Sequence, residues 1–308
     1  MAKSTTSLDR GRAVDWGRLA PLRLRAKTVA DGVYAGAHRS RRRGPGVEFG
    51  GHRAYVPGDD LRFIDRHALM RHDRLVIREF ETETDRSVHL LVDATASMGF
   101  RGEHAPADKL AFAALIAAAL ARIAAASGDP VSVDWIGGVG VRPVAPTAGR
   151  DAFEQIVGAL EAIQATGDAV ADPKAFDRSL QPIARRARRG AVIILLSDLL
   201  DLPAEAPAQF ASLGTAGRRL VAVQVLDREE RDLPYVGPVR LRAMEGDFEI
   251  DTDADAARDR YAEALAAHTQ TWAAPLAARG ARLVRATTGD DPVELLREVL
   301  GAVVGSGP

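Results

Sequence analysis

The pattern of apolar and polar positions changes character near residue 87. Beyond that point, short apolar runs of strand length alternate with longer stretches of helical periodicity, which is the signature of an α/β domain. Strands are predicted at Val88–Val92, Val131–Ile136, Gly140–Val144, Val192–Leu196, Leu220–Leu226 and Arg282–Ala286. Helices are predicted at Ala107–Ser127, Arg150–Ala165, Pro173–Arg188, Ala204–Leu213, Ala254–Arg279 and Pro292–Val303. Glycines around 137–140 suit a hairpin, and a second hairpin between Pro234 and Asp251 turns at Glu245-Gly246-Asp247. The pattern predicts a doubly wound, mainly parallel sheet over residues 87–308, with a hairpin insertion near 234–251.

Upstream, Asp15 to about Gly36 reads as a helix, with Leu19, Leu22, Leu24, Val29, Val33 and Tyr34 spaced among basic residues and Pro21 near its first turn. The pieces V-E-F and R-L-V-I-R-E-F around a P-G-D-D turn predict a small β segment. Residues 1–86 are therefore expected as a basic helix plus small β region.

Composition adds boundaries. At 308 residues and 46% hydrophobic, the chain has material for one large domain with an attachment. It has no cysteine, which excludes disulfides and thiolate metal sites. The N-terminus M-A-K-S-T-T-S-L-D-R has no apolar signal core, and the apolar tract Leu110–Ala126 is short, alanine-rich and interrupted by Arg122. No membrane span and a cytoplasmic location are expected. The net charge of −1 conceals an asymmetry: residues 1–86 carry 18 Lys/Arg against 12 Asp/Glu, and the remainder 23 against 30. Such halves suit two regions facing one another, or a basic face meeting an acidic partner. Arg41–Arg43 lack an aromatic stacking platform, so a solvated or ion-paired loop is favoured over nucleic-acid binding. Glu48, Arg53, Asp59, Asp60, Arg62, Asp65, Arg71 and Arg78 read as an ion-pair network rather than a catalytic set. His38, His52, His67 and His72 have no spacing that suits a metal.

The chemistry concentrates where apolar strands stop. Val88–Val92 runs into Asp93-Ala94-Thr95-Ala96-Ser97, and Val192–Leu196 runs into Ser197-Asp198. Carboxylates at the C-terminal ends of neighbouring parallel strands sit at the rim where open α/β sheets bind ligands. Thr95 or Ser97 as a helix cap is the plain alternative. With Thr166, from A-T-G-D, or Thr147 in its place, the set Asp93, Thr95, Ser97, Thr166 and Asp198 offers two carboxylates and three hydroxyls. That donor set suits magnesium or manganese and not zinc.

The string D-A-T-A-S, with a later threonine and strand-end aspartate, resembles the metal-ion-dependent adhesion site of von Willebrand factor A domains, with Thr95 in place of serine. V-E-F, R-A-Y-V-P-G-D-D-L-R-F-I-D, L-V-I-R-E-F-E-T-E and D-A-T-A-S-M resemble the bacterial domain-of-unknown-function family fifty-eight, with Arg66 where a tryptophan is usual. The resemblance implies hydroxyls that ligate the metal directly, aspartates acting through water, and an open position for a partner's Asp or Glu. It also implies association with a MoxR-type AAA-plus ATPase or its client, as an adaptor in chaperone-like assembly. The chain itself has no G-x-x-x-x-G-K-[ST] loop. The rival is a magnesium-dependent phosphatase or nuclease. It is disfavoured because haloacid-dehalogenase-type phosphatases place a second aspartate two residues after the nucleophile, where this chain has Thr95, and because no lysine is expected near Ser197-Asp198 to stabilise a transferred phosphate.

Overall fold

The computed structural model describes residues 12–34, 48–54, 76–81, 86–149 and 151–305. The contacts divide the chain into two units, residues 37–85 and the rest. Within the smaller unit, β2 (Glu48–Ala54) and β3 (Val76–Glu81) form an antiparallel pair with an irregularity between Phe49 and Gly51. The expectations for Arg41–Arg43, the residue 48–78 ion pairs, Arg66 and the four histidines fall on residues or side chains outside those described.

The larger unit begins with β1 (Arg12–Ala13), a 3-10 turn at Gly17–Leu19, and α1 (Leu22–Tyr34). The predicted helix from Asp15 is thus divided, because proline at 21 supplies no amide hydrogen to a continuing helix. Then follow β4 (Val88–Ala94), α2 (Lys109–Ser127), β5 (Val131–Gly137), β6 (Val144–Thr147), α3 (Ala152–Ala162) and β7 (Gln164–Ala165). The second half runs through α4 (Ala175–Arg186), β8 (Val192–Ser197), α5 (Ala206–Ser212), β9 (Arg219–Leu226) and α6 (Arg228–Asp232). It ends with the hairpin of β10 (Pro238–Arg242) and β11 (Glu249–Asp253), then α7 (Ala254–Ala277), β12 (Arg282–Thr287) and α8 (Pro292–Gly305).

The central sheet has the order β12-β9-β8-β4-β5-β6, parallel except for the antiparallel edge strand β6. It is a doubly wound, mainly parallel α/β fold. Strand period two assigns its faces. Leu90, Val92, Ile194 and Leu196 pack in one core with residues of α1, α2, α3 and α8. Leu91, Ile193 and Leu195 pack in the other with Phe176, Phe210 and Trp272 from α4, α5 and α7. Both strands are buried on both faces, as parallel strands covered by helices are; before Asp93 the one polar residue inside β4 is His89, buried and hydrogen-bonded to Ser87 and Ser132.

One strand departs from expectation. The predicted Gly140–Val144 is instead β6, shifted towards the C-terminus. Gly138 and Gly140, between β5 and β6, have positive φ, so the chain bends there and β6 begins only at Val144.

Helix α2 is long and apolar enough to cross a membrane by length and composition, yet its most apolar stretch is 72% buried inside the fold. Its run of alanines lets α1 and α3 approach closely, and Leu22, Ala26, Val29 and Val33 of α1 join the same core. Leu22 is 1% exposed. Leu22→Ala should lower unfolding stability by about 2–4 kcal/mol, measured in urea; an unchanged midpoint would contradict the packing of α1.

Candidate metal centre

Strands β4 and β8 are parallel neighbours, in register from Val88 opposite Val192 to Val92 opposite Leu196. The chain therefore delivers Asp93 and Asp198 to the same rim, and both side chains are buried. After Asp93 the chain passes through a 3-10 turn, Ala96–Gly99, instead of entering a helix directly. Thr95 stands at the start of that turn but makes no side-chain capping bond. Its Oγ1 donates to Asp93 Oδ1 at 2.7 Å, and its amide donates to the same oxygen at 2.9 Å. Ser97 Oγ lies 3.2 Å from Thr95 Oγ1. The cap of α2 is Asp108, whose Oδ1 accepts from the Ala111 amide at 2.7 Å. Capping therefore does not account for Thr95.

The loop after β7 brings Thr166 to the same edge. The Thr166 amide donates to Ala94 O, and the Thr166 carbonyl accepts from Gly138 N. Gly137 makes this approach possible, because a Cβ there would lie 2.8 Å from Thr166 O and 3.1 Å from Thr95 Cγ2. Thr147 does not belong here. It pairs with Val131, beside Val88, which puts it at the opposite end of the sheet, about 17 Å away along the strand.

Sequence reasoning missed several groups. Ser197 Oγ donates to Asp93 Oδ2 at 2.5 Å. Lys109, at the start of α2, is fully buried and donates to Asp198 Oδ2 at 2.7 Å and to Glu230 Oε1 at 2.6 Å. This corrects the expectation that no lysine neighbours Ser197-Asp198: the neighbour is 89 residues away in sequence and was invisible to local inspection. Glu230 is held by α6, where Asp227 and Glu230 form a capping box. Asp227, a third strand-end aspartate, also accepts from Gly102 N and Thr288 Oγ1, which ties three rim loops together. The D-R-E-E string that starts α6 was the legible signal.

The charges interlock. Burial and then the Asp198 charge push Asp93 up to about 7, against the hydrogen bonds from Ser197 and Thr95. Burial would also raise Asp198, but the Lys109 ammonium outweighs it and holds that carboxyl below its usual range. Burial would lower Lys109, and Asp198 and Glu230 more than reverse it. Of the two aspartates, Asp93 is therefore the one that takes up a proton more readily, because Lys109 neutralises its neighbour.

Among the described residues, no group of three His, Cys, Asp or Glu could hold a metal by itself. A cation here depends on hydroxyls. The oxygen-only donors Asp93, Thr95, Ser97, Thr166 and Asp198 fit a hard cation of the magnesium type, which keeps waters and needs few carboxylates. The hydroxyls of Thr95 and Ser97 are the direct candidates, because both Asp93 oxygens accept protein hydrogen bonds and Asp198 accepts from Lys109 and Leu200 N.

Residues 51–271 match the family described as protein of unknown function DUF58. The chain belongs to this family. This DUF58 chain is similar to uncharacterized proteins of Mycobacterium tuberculosis and Mycobacterium bovis, each 29% identical over 89% of this chain and 84% of theirs. Among solved structures, it is similar to an aerotolerance-related membrane protein from Bacteroides fragilis (14% identical, 71% of this chain and 98% of that one, TM-score 0.38). It is also similar to a von Willebrand factor type A protein from Catenulispora acidiphila (17% identical, 61% and 43%, TM-score 0.30).

Two predictions follow from the charge network. Lys109→Met should cost about 3–5 kcal/mol of unfolding stability, since removing one partner leaves buried charge uncompensated; a urea midpoint equal to wild type would contradict the ion pairs. The Asp93 value lies above its ordinary 3.8, so the native state holds an extra proton between about pH 4 and 7. The stability this contributes is full below that window and lost as pH rises through it. In chelator, thermal melts of wild type should therefore fall from about pH 5 to 7 more steeply than those of Asp93→Asn.

Proposed function

We propose that the chain is a non-enzymatic, metal-ion-dependent protein-binding module. The observation that carries this reading is the oxygen-only cluster at the rim of β4 and β8, in which two hydroxyls lie 3.2 Å apart beside a carboxylate. A magnesium or manganese ion held mainly by neutral oxygens retains its affinity for anionic ligands, so an incoming Asp or Glu from a partner can complete its shell. The partner class follows from the family resemblance: a MoxR-type AAA-plus ATPase or its client, met in the cytoplasm. ATP hydrolysis belongs to that partner, since this chain lacks a phosphate-binding loop.

Lys109 gives a magnesium-dependent phosphatase or nuclease a specific point in its favour, because a lysine beside a strand-end aspartate suits phosphate chemistry. Two observations weigh against it. The Lys109 ammonium is fully buried and already shared between two carboxylates. Both oxygens of Asp93 accept hydrogen bonds from hydroxyls, which leaves the carboxylate poorly disposed to attack phosphorus.

Pull-down from lysate with the full chain, in magnesium and again in excess chelator, tests the reading. An AAA-plus ATPase should be captured in magnesium only, and Asp93→Ala or Ser97→Ala should lose it while circular dichroism stays that of wild type. Partner capture that persists unchanged in chelator would sink the metal bridge. Magnesium-dependent phosphate release from a generic aryl phosphate, abolished by Asp93→Ala, would favour the hydrolase.

A further inference from the structure

The β10–β11 hairpin carries exposed apolar side chains, with Phe248 65% and Ile250 44% exposed. A glutamate in the turn of such a hairpin is ordinarily solvated. Glu245 is instead 5% exposed. One of its oxygens accepts from the Ser97 amide at 3.2 Å and the other from the Ala169 amide at 2.7 Å. A single carboxylate thus bridges the two loops that carry the Ser97 and Thr166 hydroxyls.

The next residue fixes the approach. Gly246 N donates to Asp168 Oδ2 at 2.9 Å, while Asp168 Oδ1 accepts from the Val170 and Ala171 amides. Gly246 has φ +70°, a conformation that glycine adopts without strain, and it turns the chain just after the buried carboxylate. Beneath the hairpin, Phe100, Leu200, Met244, Phe248 and Tyr261 line a cavity of about 320 Å³ that reaches Ser97 and Asp198.

The charges around the hairpin turn are mostly acidic. Among the described residues, Glu245 has no ion pair with a lysine or arginine, and it is buried near Asp201. Burial, then the Asp198 and Glu245 charges, push Asp201 up to about 6. Buried carboxylates are ordinarily paired with a cation or coordinate a metal. Lys109 is already committed to Asp198 and Glu230.

We propose that Glu245 is the chain's own carboxylate at the metal centre: like Asp93 and Asp198 it borders the ion's shell without ligating directly, and the hairpin holds it where a partner's Asp or Glu would dock. The hairpin thereby closes the site in the isolated protein, and a partner binds by displacing it. This inference rests on the metal-dependent reading above and adds an occupant and a mode of regulation to it.

Hydrogen exchange of the full chain, with and without magnesium, tests the proposal alongside calorimetric titration of magnesium alone. In wild type, magnesium should slow exchange of the amides at 243–248 by about tenfold or more, and Glu245→Gln should abolish that response. The variant should also bind magnesium roughly tenfold more weakly, as expected on losing a negative charge beside the ion. Asp247→Asn, at an exposed position of the same turn, should behave as wild type. Magnesium binding with no change at 243–248 in wild type would reduce Glu245 to a hairpin anchor and leave the metal reading standing. A Glu245→Gln response equal to wild type would do the same. If wild type gives no binding heat and no change in exchange, the metal reading fails and this inference fails with it.

Discussion

Asp93 and Asp198 are buried side by side at the ends of adjacent parallel strands, and two like charges so placed cannot both persist without a cation. Much of the rim serves that constraint. Lys109 supplies one positive charge from the first turn of α2, and that turn is fixed by the Asp108 cap. Glu230 takes the other side of the same ammonium, and the α6 capping box holds it in place. Burial and the Asp198 charge raise Asp93, so it takes up a proton more readily than an ordinary aspartate. A divalent cation would replace that proton, so metal affinity and acidity are linked at this site.

The fold was legible because both faces of the sheet are covered. Val192–Leu196 is an unbroken apolar run and Val88–Val92 is interrupted only by His89, and such runs bounded by polar residues read directly as central strands. Their terminal aspartates, together with Thr95 and Ser97, were legible for the same reason: the change from apolar to polar marks the rim. The edge strand β6 was misplaced because the glycines at 138 and 140 carry a turn into what looked like a strand. Edge strands pair on one side only and leave a weaker apolar pattern.

The contacts that complete the site were not legible, since they join residues far apart in sequence. Lys109 falls inside the predicted helix Ala107–Ser127 with nothing local to mark it, and only the juxtaposition of α2 with β8 shows it meeting Asp198. Glu245 lies 148 residues from Ser97 and is placed by a hairpin whose other residues are largely exposed. Thr147 stayed open as the alternative to Thr166 until the register of β6 put it at the opposite end of the sheet. Family membership establishes the kind of chain this is, and the arrangement of oxygens at the rim is what points to its chemistry.

The most direct measurement is a crystal of the full chain grown or soaked in manganese, with anomalous diffraction recorded at the manganese edge. The account predicts one strong peak between the hydroxyls of Thr95 and Ser97, within about 2.0–2.3 Å of each oxygen, with Asp93 and Asp198 bordering its shell. A fully substituted crystal with no peak there, or with manganese bound only elsewhere, would contradict it.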